Sequence, residues 1–276
     1  MSTDALTTAV IDVAAVAGEL DRARRTATPI PPLSERCPGL AVADAYRIQL
    51  AGVELRTAGG AVTRGHKVGL TSYAMQRQLG VQQPDYGALL DDMILPDGAV
   101  LPSGELINPR IEPEIAFLLG DDLAGPGVTV AHARAAVQLV VPALEVIDSR
   151  IRDWRITLPD TIADNASSGL VVLGVQPLPL YGRSLRLTGC VLRRNGEIVG
   201  TGAGGAVLGD PLAALAWLAN TLATWGRGLS AGDLVLPGAC TAAVPAAPGD
   251  VFTATFAGLG CVTARVADRA SESGRY

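Results

Sequence analysis

Pro109-Arg110-Ile111-Glu112-Pro113-Glu114-Ile115-Ala116-Phe117-Leu118 sets two acids, two residues apart, at the start of an apolar run. On a strand, side chains two apart share a face. Glu112 and Glu114 then stand side by side, with Ile111 and Ile115 on the other face. Adjacent carboxylates repel, and one takes up a proton unless a cation sits between them. A second run, Val140-Val141-Pro142-Ala143-Leu144-Glu145-Val146-Ile147, carries one acid, Glu145, inside an otherwise apolar strand, where it needs a partner. Two readings remain open. In one, Glu112 and Glu114 lie on the solvated face of an edge strand and Glu145 pairs with an arginine; Pro113 favours this, because proline belongs at edges or bulges. In the other, three carboxylates without a histidine or cysteine partner form a hard oxygen site for Mg²⁺ or Mn²⁺.

Outward from these runs the chain is β-rich. Lys67–Leu70, Gly169–Val175, Gly189–Arg194, Glu197–Gly202, Asp233–Leu236, Val251–Phe256 and Cys261–Val266 read as strands, beside Arg110–Leu119 and Val137–Ile147. Asn195-Gly196 between two of them predicts a tight hairpin. Leu212–Gly226 reads as a helix, with Asp210 as its cap and Pro211 in its first turn. Strand and helix do not alternate, and no Gly-x-Gly-x-x-Gly follows a strand. A Rossmann or α/β-barrel fold is disfavoured, and an α+β fold with a mixed or antiparallel sheet is expected.

The N-terminal part differs. Ala5–Arg25 and Val42–Arg56 have apolar positions at helical spacing, separated by a linker around Pro29, Pro31 and Pro32 and stopped by Gly59-Gly60. Residues 1–58 are therefore expected to form a helical cap and residues 59–276 the site-bearing domain. The tail Ser271–Tyr276 reads as loose.

Composition narrows the function. The chain has 276 residues, 49 % of them hydrophobic and 4 % aromatic, and a net charge of −5. That is enough to close a core, but it offers few stacking platforms and no attraction for a phosphate backbone, so nucleic acid is not expected as a partner. Mean hydropathy is high, at +0.32, yet no apolar stretch is long enough to span a membrane. Met1–Leu20 holds three acids and no basic residue, unlike a secretion signal. A cytoplasmic location is expected. Cys37, Cys190, Cys240 and Cys261 lie far apart and read as buried free thiols.

Lys67 is the only lysine in the sequence; every other basic side chain counted with it is arginine. A lysine kept where arginine is otherwise used suggests work a guanidinium cannot do, such as exchanging a proton. It sits in Gly65-His66-Lys67-Val68-Gly69-Leu70, where flanking glycines allow close approach of a small ligand. In a dry pocket near a metal two roles are open to it: acid or base work with a lowered pKa, or holding a carboxylate. His66 faces the other way on a strand and reads as structural; His132 reads as a surface helix residue. Two polar turns complete the set: Gln83-Pro84-Asp85-Tyr86-Gly87, and Asp160-Thr161-Ile162-Ala163-Asp164-Asn165-Ala166-Ser167-Ser168-Gly169. Such turns usually cap local structure, and they can also supply donors to a ligand carboxylate.

Taken in order, GHKVGLTSYAMQRQLGVQQPDYGALL, PRIEPEIAFLLGDDLAGPGVT, PALEVIDSRIRDWRITLPDTIADNASSGLVVLG, GAGGAVLGDPLAALAWLAN and AGDLVLPGACTAAV resemble the 2-hydroxypenta-2,4-dienoate (2-oxopent-4-enoate) hydratases. They are also similar to the related 4-oxalocrotonate decarboxylases of aromatic meta-cleavage catabolism. Both groups belong to the fumarylacetoacetate hydrolase superfamily. The resemblance implies a mixed β-roll of the C-terminal type found in that superfamily, with an N-terminal helical cap. It implies Mg²⁺ or Mn²⁺ on Glu112, Glu114 and Glu145, and proton transfer by Lys67 and Asp85. Substrate contacts are implied for Ser167, Asp164 and Leu70. It further implies homo-oligomers, and a complex with a pathway decarboxylase or aldolase. Pro113 departs from the small or aliphatic residue usual in the family. Arg152-Asp153-Trp154 resembles the hydratase branch, whereas TAAVPAAPGD also resembles the decarboxylases. Hydration of the dienoate is the favoured activity and decarboxylation the alternative. Three other classes fit less well: a carbon–carbon hydrolase lacks a histidine with an obvious acidic partner, and the intact acids and lysine argue against a non-catalytic partner protein or a metal-free binding module.

Overall fold

Asp12 starts the first helix by accepting the Ala15 amide at 3.0 Å, satisfying one of the free N–H groups of the opening turn. The computed structural model describes residues 11–268, so the expected helical turn from Ala5 and the tail Ser271–Tyr276 lie outside the described residues. Helix α1 (Val13–Arg25) is followed by α2 (Leu33–Arg36), a short helix within what the prolines suggested was only linker, and by α3 (Val42–Ala58). Ala17 and Leu20 of α1 and Ala45, Tyr46 and Ile48 of α3 are buried in the same apolar cluster as Phe117, Leu144 and Phe252 of the sheets.

The other helices are α4 (Tyr73–Leu79), α5 (Val130–Ala136), α6 (Leu158–Ala163) and α7 (Pro211–Ala223). Helix α7 is capped by Asp210, whose side chain accepts the Leu212 amide at 3.0 Å. The strands are β1 (Thr63–Gly69), β2 (Asp85–Leu90), β3 (Ile94–Pro96), β4 (Val100–Leu101), β5 (Arg110–Leu119), β6 (Val137–Ile147), β7 (Ser168–Leu173), β8 (Leu178–Pro179), β9 (Gly189–Arg194), β10 (Glu197–Ala203), β11 (Leu234–Leu236), β12 (Val244–Pro245), β13 (Val251–Phe256) and β14 (Gly260–Val266). They form two sheets. The larger runs β2-β1-β11-β5-β6-β7-β3, with β12 added to β5 and β8 to β6; the smaller runs β10-β9-β13-β14-β4. Parallel pairs (β1 with β11, β3 with β7, β4 with β14) mix with antiparallel ones, giving the expected mixed α+β architecture. The β9–β10 hairpin turns through Asn195 (φ 54°) and Gly196 (φ 87°), with Arg194 opposite Glu197.

Three expectations need correction. Strand β5 is not an edge: it lies between β11 and β6. Pro113 is tolerated because its carbonyl points away from β6 and accepts the Cys240 amide at 2.9 Å. On that flank the regular ladder is broken between β12, opposite Ile111, and β11, opposite Phe117. The segment read as a turn at Asp85–Gly87 opens β2, whose six residues are all buried; a strand covered on both faces carries no alternation to reveal it. Of the four cysteines, Cys190 and Cys240 are buried, Cys37 is partly buried and Cys261 is exposed on β14. Among the described residues no helix is long and apolar enough to cross a membrane.

Candidate active site

Antiparallel pairing of β5 with β6 sets Glu112 directly opposite Glu145 and Glu114 opposite Ala143. The period-two pleat and this register bring all three glutamates to one face, each offering a carboxylate oxygen within 4.8 Å of the others. Glu114 and Glu145 are buried and Glu112 is partly buried. Glu114 Oε2 accepts the Gly238 amide at 2.8 Å. Glu114 Oε1 and both oxygens of Glu145 are buried without a hydrogen-bond partner.

Lys67 reaches this cluster from β1. Its Nζ donates to the Ala166 carbonyl at 3.0 Å and lies 3.3 Å from Glu145 Oε1, an ion-pair distance without hydrogen-bonding alignment. Asp85, on β2, is paired in register with Gly69. A Cβ at Gly69 would overlap Asp85 Oδ1 and lie 3.2 Å from Lys67 Nζ, so glycine is what lets the acid and the ammonium share that space. Asp85 Oδ2 accepts from Thr161 Oγ1 at 3.2 Å, Thr161 Oγ1 lies 3.4 Å from Ser167 Oγ, and Asp85 Oδ1 is buried without a partner.

Charge dominates this pocket. Burial pushes the Glu112 carboxyl up to about 7, with the Glu145 charge adding to the rise. Burial, and then Glu145 and Glu112, hold Glu114 well above the carboxylate range. Burial also raises Glu145 and Asp85, with Lys67 opposing in both cases. For Lys67, burial works to lower the pKa, but Glu145, Asp85, Glu112 and Glu114 outweigh it and keep the ammonium protonated beyond its ordinary range. Of the two roles open to Lys67, holding a carboxylate is the one this charge balance favours. Four acids surround one base, so charge there is balanced only by protons or by a further cation.

The turn leading into β7 supplies the other polar groups. Ser167 is buried beside Thr161. Asp164 is buried too, but both its oxygens are engaged: Oδ1 by Arg150 Nε, and Oδ2 by the Arg150 amide at 2.9 Å and Ser149 Oγ at 3.1 Å. Leu70 adopts φ 56° just after β1, and its carbonyl accepts from Gln76 Nε2 at 2.8 Å. His66 faces away from Lys67 and packs edge-on against Tyr86, where burial lowers its pKa to about 4. His132 is exposed and closes the capping turn of α5 with Thr129. In Arg152-Asp153-Trp154, Trp154 is stacked under the Arg110 guanidinium at 4.5 Å.

Sequence reasoning did not single out Thr161, Arg150 or Gly238. Thr161 stands in one of the quoted turns, where nothing local distinguishes its hydroxyl from a capping one. Arg150 follows β6 closely, and a buried guanidinium is invisible without its tertiary partners. Gly238 acts through its backbone alone.

The family model for the fumarylacetoacetate (FAA) hydrolase C-terminal region matches residues 75–267. The chain is 47 % identical to 2-keto-4-pentenoate hydratase of Paraburkholderia xenovorans (strain LB400), over 89 % of this chain and 91 % of that one. It is 42 % identical to 4-oxalocrotonate decarboxylase of Pseudomonas sp. (strain CF600), over 92 % and 97 %. The solved structure of 4-oxalocrotonate decarboxylase from Pseudomonas putida G7, complexed with magnesium and adipate, matches with a TM-score of 0.90 at 41 % identity, covering 92 % of this chain and 97 % of that one. The matched region holds both glutamate-bearing strands and the turn that meets Lys67, and on this agreement of sequence and fold the chain belongs to the fumarylacetoacetate hydrolase family.

Proposed function

We propose that the protein is a divalent-metal-dependent hydro-lyase that adds water to 2-hydroxypenta-2,4-dienoate, giving 4-hydroxy-2-oxopentanoate in aromatic catabolism. The observation that carries this reading is the convergence of Glu112, Glu114 and Glu145 within 4.8 Å on one sheet face, with Lys67 Nζ 3.3 Å from Glu145. The hydratase relatives named above support the choice of substrate class. The donor set fits Mg²⁺ or Mn²⁺: it is all carboxylate, it carries excess negative charge, and three of its oxygens are buried without a hydrogen-bond partner. Glu112, Glu114 and Glu145 would hold the ion, and its contribution when bound is Lewis acidity toward the oxygens of a 2-oxo acid.

The chain's own residues handle the protons. Overall, one water is consumed: hydroxyl is added at C4 and hydrogen at C5 and C3, while the enol becomes the 2-oxo group. Lys67 Nζ is the proton donor and acceptor of this reading, kept charged by its acids and aimed by the Ala166 carbonyl. Asp85 Oδ1, buried without a partner, is placed to take a proton from Lys67 or from water. Thr161 links Asp85 to Ser167, which faces the substrate carboxylate in this reading. Leu70 is a wall of the substrate pocket. Asp164, its oxygens already engaged, holds the turn rather than touching substrate.

Decarboxylation of 4-oxalocrotonate is the second reading, favoured by the close match to the magnesium- and adipate-complexed decarboxylase. Offering both substrates side by side to the Mg²⁺-loaded protein tests the two. Loss of the dienoate absorbance with 4-hydroxy-2-oxopentanoate as product supports hydration. Release of CO₂ from 4-oxalocrotonate, with no turnover of the dienoate, refutes it. The same reading includes the 1–58 cap and 59–276 catalytic division, a cytoplasmic location, homo-oligomers, and a complex with a pathway decarboxylase or aldolase. Light scattering and co-elution with those enzymes test the assemblies.

A further inference from the structure

Three consecutive non-glycine residues, Asn165 (φ 54°), Ala166 (φ 52°) and Ser167 (φ 53°), adopt the left-handed conformation. L-residues avoid that region, so such a run persists only where surrounding contacts impose it. Asn165 is held by its side chain, which exchanges hydrogen bonds of 2.8 and 2.9 Å with the Ala88 backbone of β2, and the two ends of the turn are held by Arg150. Its Nε donates to Asp164 Oδ1 and one terminal nitrogen to the Asp164 carbonyl, at the head of the turn. The other terminal nitrogen donates to the Ser168 carbonyl at 2.8 Å, at the foot of the turn, and to the Asp148 carbonyl. Arg150 and Asp164 are only 5 % and 2 % exposed. The Asp148 amide also holds the Ser167 carbonyl at 2.9 Å, while the Asp148 carboxylate accepts the Ile107 and Asn108 amides at 2.9 and 2.7 Å, just ahead of β5. Asp148-Ser149-Arg150 thus stitches the exit of β6, the entry of β5 and the left-handed turn together.

The middle of that turn serves the site. The Ala166 carbonyl accepts from Lys67 Nζ, and Ser167 meets Thr161. Lys67 has a long, flexible stem, and several carboxylates compete for its ammonium. The neutral carbonyl of Ala166 gives one of its protons a fixed direction. We propose that Arg150 is a positioning residue for Lys67: by clasping both ends of the 164–168 turn, it sets the Ala166 carbonyl that aims the ammonium. Arginine suits this role because its planar fork presents five N–H groups, enough to bridge a side chain and three carbonyls at once. The inference rests on Lys67 moving a proton, as in the reading above.

Because Lys67 is the only lysine, ε-¹³C-lysine labelling gives one side-chain resonance that reports on the site alone. In the Mg²⁺-loaded protein, Arg150→Met is expected to shift or split that resonance, although Arg150 makes no hydrogen bond to Lys67. The same variant should lower kcat at least ~10-fold, leaving KM and Mg²⁺ affinity nearly unchanged. Guanidinium ion added to Arg150→Ala should recover part of kcat and move the resonance back. An unmoved resonance overturns the proposal whatever kcat does, and so does a loss of Mg²⁺ affinity in step with kcat. Should Arg150→Met lack the folded circular dichroism spectrum, Asp164→Asn weakens the same grip and is judged by the same resonance. If the wild-type protein turns over neither substrate, the proposed function fails, yet the resonance still decides whether Arg150 aims Lys67.

Discussion

Removing divalent cation should cost this protein more stability the higher the pH, so that the gap between the metal-free and Mg²⁺-loaded protein widens as pH rises. Glu112 is the clearest source, its carboxyl raised by burial and by Glu145 to about 7 from an ordinary value of 4.5. A raised native pKa means that the folded state holds the proton more tightly than the unfolded chain. The group is therefore harmless below about 4.5, and stability falls as pH climbs from there through about 7. Between pH 5 and pH 8 the loss from this one group is roughly 2–3 kcal/mol. In a protein of this size that lowers Tm by roughly 5–10 °C. Glu114 shifts in the same direction and adds to the fall. Thermal or urea unfolding in EDTA and in excess Mg²⁺, from pH 5 to pH 8, reads the effect. Asp164, raised by burial to about 6, contributes a slope of the same sign, and His66, lowered to about 4, one of the opposite sign; both act in either buffer and drop out of the difference. Glu112→Gln should flatten the EDTA curve. Identical slopes with and without Mg²⁺, or a gap between the two that narrows as pH rises, would falsify the charge balance derived for this site.

Glu112→Ala and Glu145→Ala should each weaken Mg²⁺ or Mn²⁺ binding, measured by titration calorimetry, by at least the ~100-fold that loss of an outer-shell partner can cause, and should abolish turnover. Full metal content and activity in either variant removes that glutamate from the ligand set. Lys67→Met should reduce kcat by about 10²- to 10⁴-fold, and Lys67→Arg should not restore it, because a guanidinium does not release its proton; stopped-flow consumption of the dienoate checks both. Gly196→Ala, at φ 87° in the β9–β10 hairpin, should cost about 1 kcal/mol and a few degrees of Tm. Its kcat should match wild type, and a large change would mean that the smaller sheet takes part in the reaction.

What could be read in the sequence was local. Arg110–Leu119, Val137–Ile147, Gly189–Arg194 and Val251–Phe256 coincide with β5, β6, β9 and β13. Their apolar runs and bounding turns are encoded within a few residues. The shared face of Glu112 and Glu114 followed from the pleat alone. That Glu145 stands opposite Glu112 did not, because cross-strand register depends on the whole sheet. Strand β2 was hidden by burial on both faces, and α4, α5 and α6 are too short to show a helical period. The choice between the two roles of Lys67 was hidden for a related reason: its environment comes from four acids on β2, β5 and β6, and no local window contains them. The Arg150 clasp depends on residues 14 and 18 positions away.

The breaks in the central ladder and the placing of the site are one structural fact. Prolines interrupt both glutamate-bearing strands, Pro113 in β5 and Pro142 in β6, and they face each other across neither strand's shared ladder. The Pro113 carbonyl turns to Cys240 and the Pro142 carbonyl to Gly174, at 2.9 and 2.8 Å, on the outer flanks where regular pairing has lapsed. On the β5 flank the lapse begins where β11 ends at Leu236, and the chain beyond it bends so that the Gly238 amide meets the Glu114 carboxylate. Had β11 continued as a strand alongside β5, its backbone would have paired with backbone and that amide would not have been free for a side chain. The buried, partnerless oxygens of Glu114 and Glu145 mark where the fold gives up stability, and a bound cation is the group that returns it.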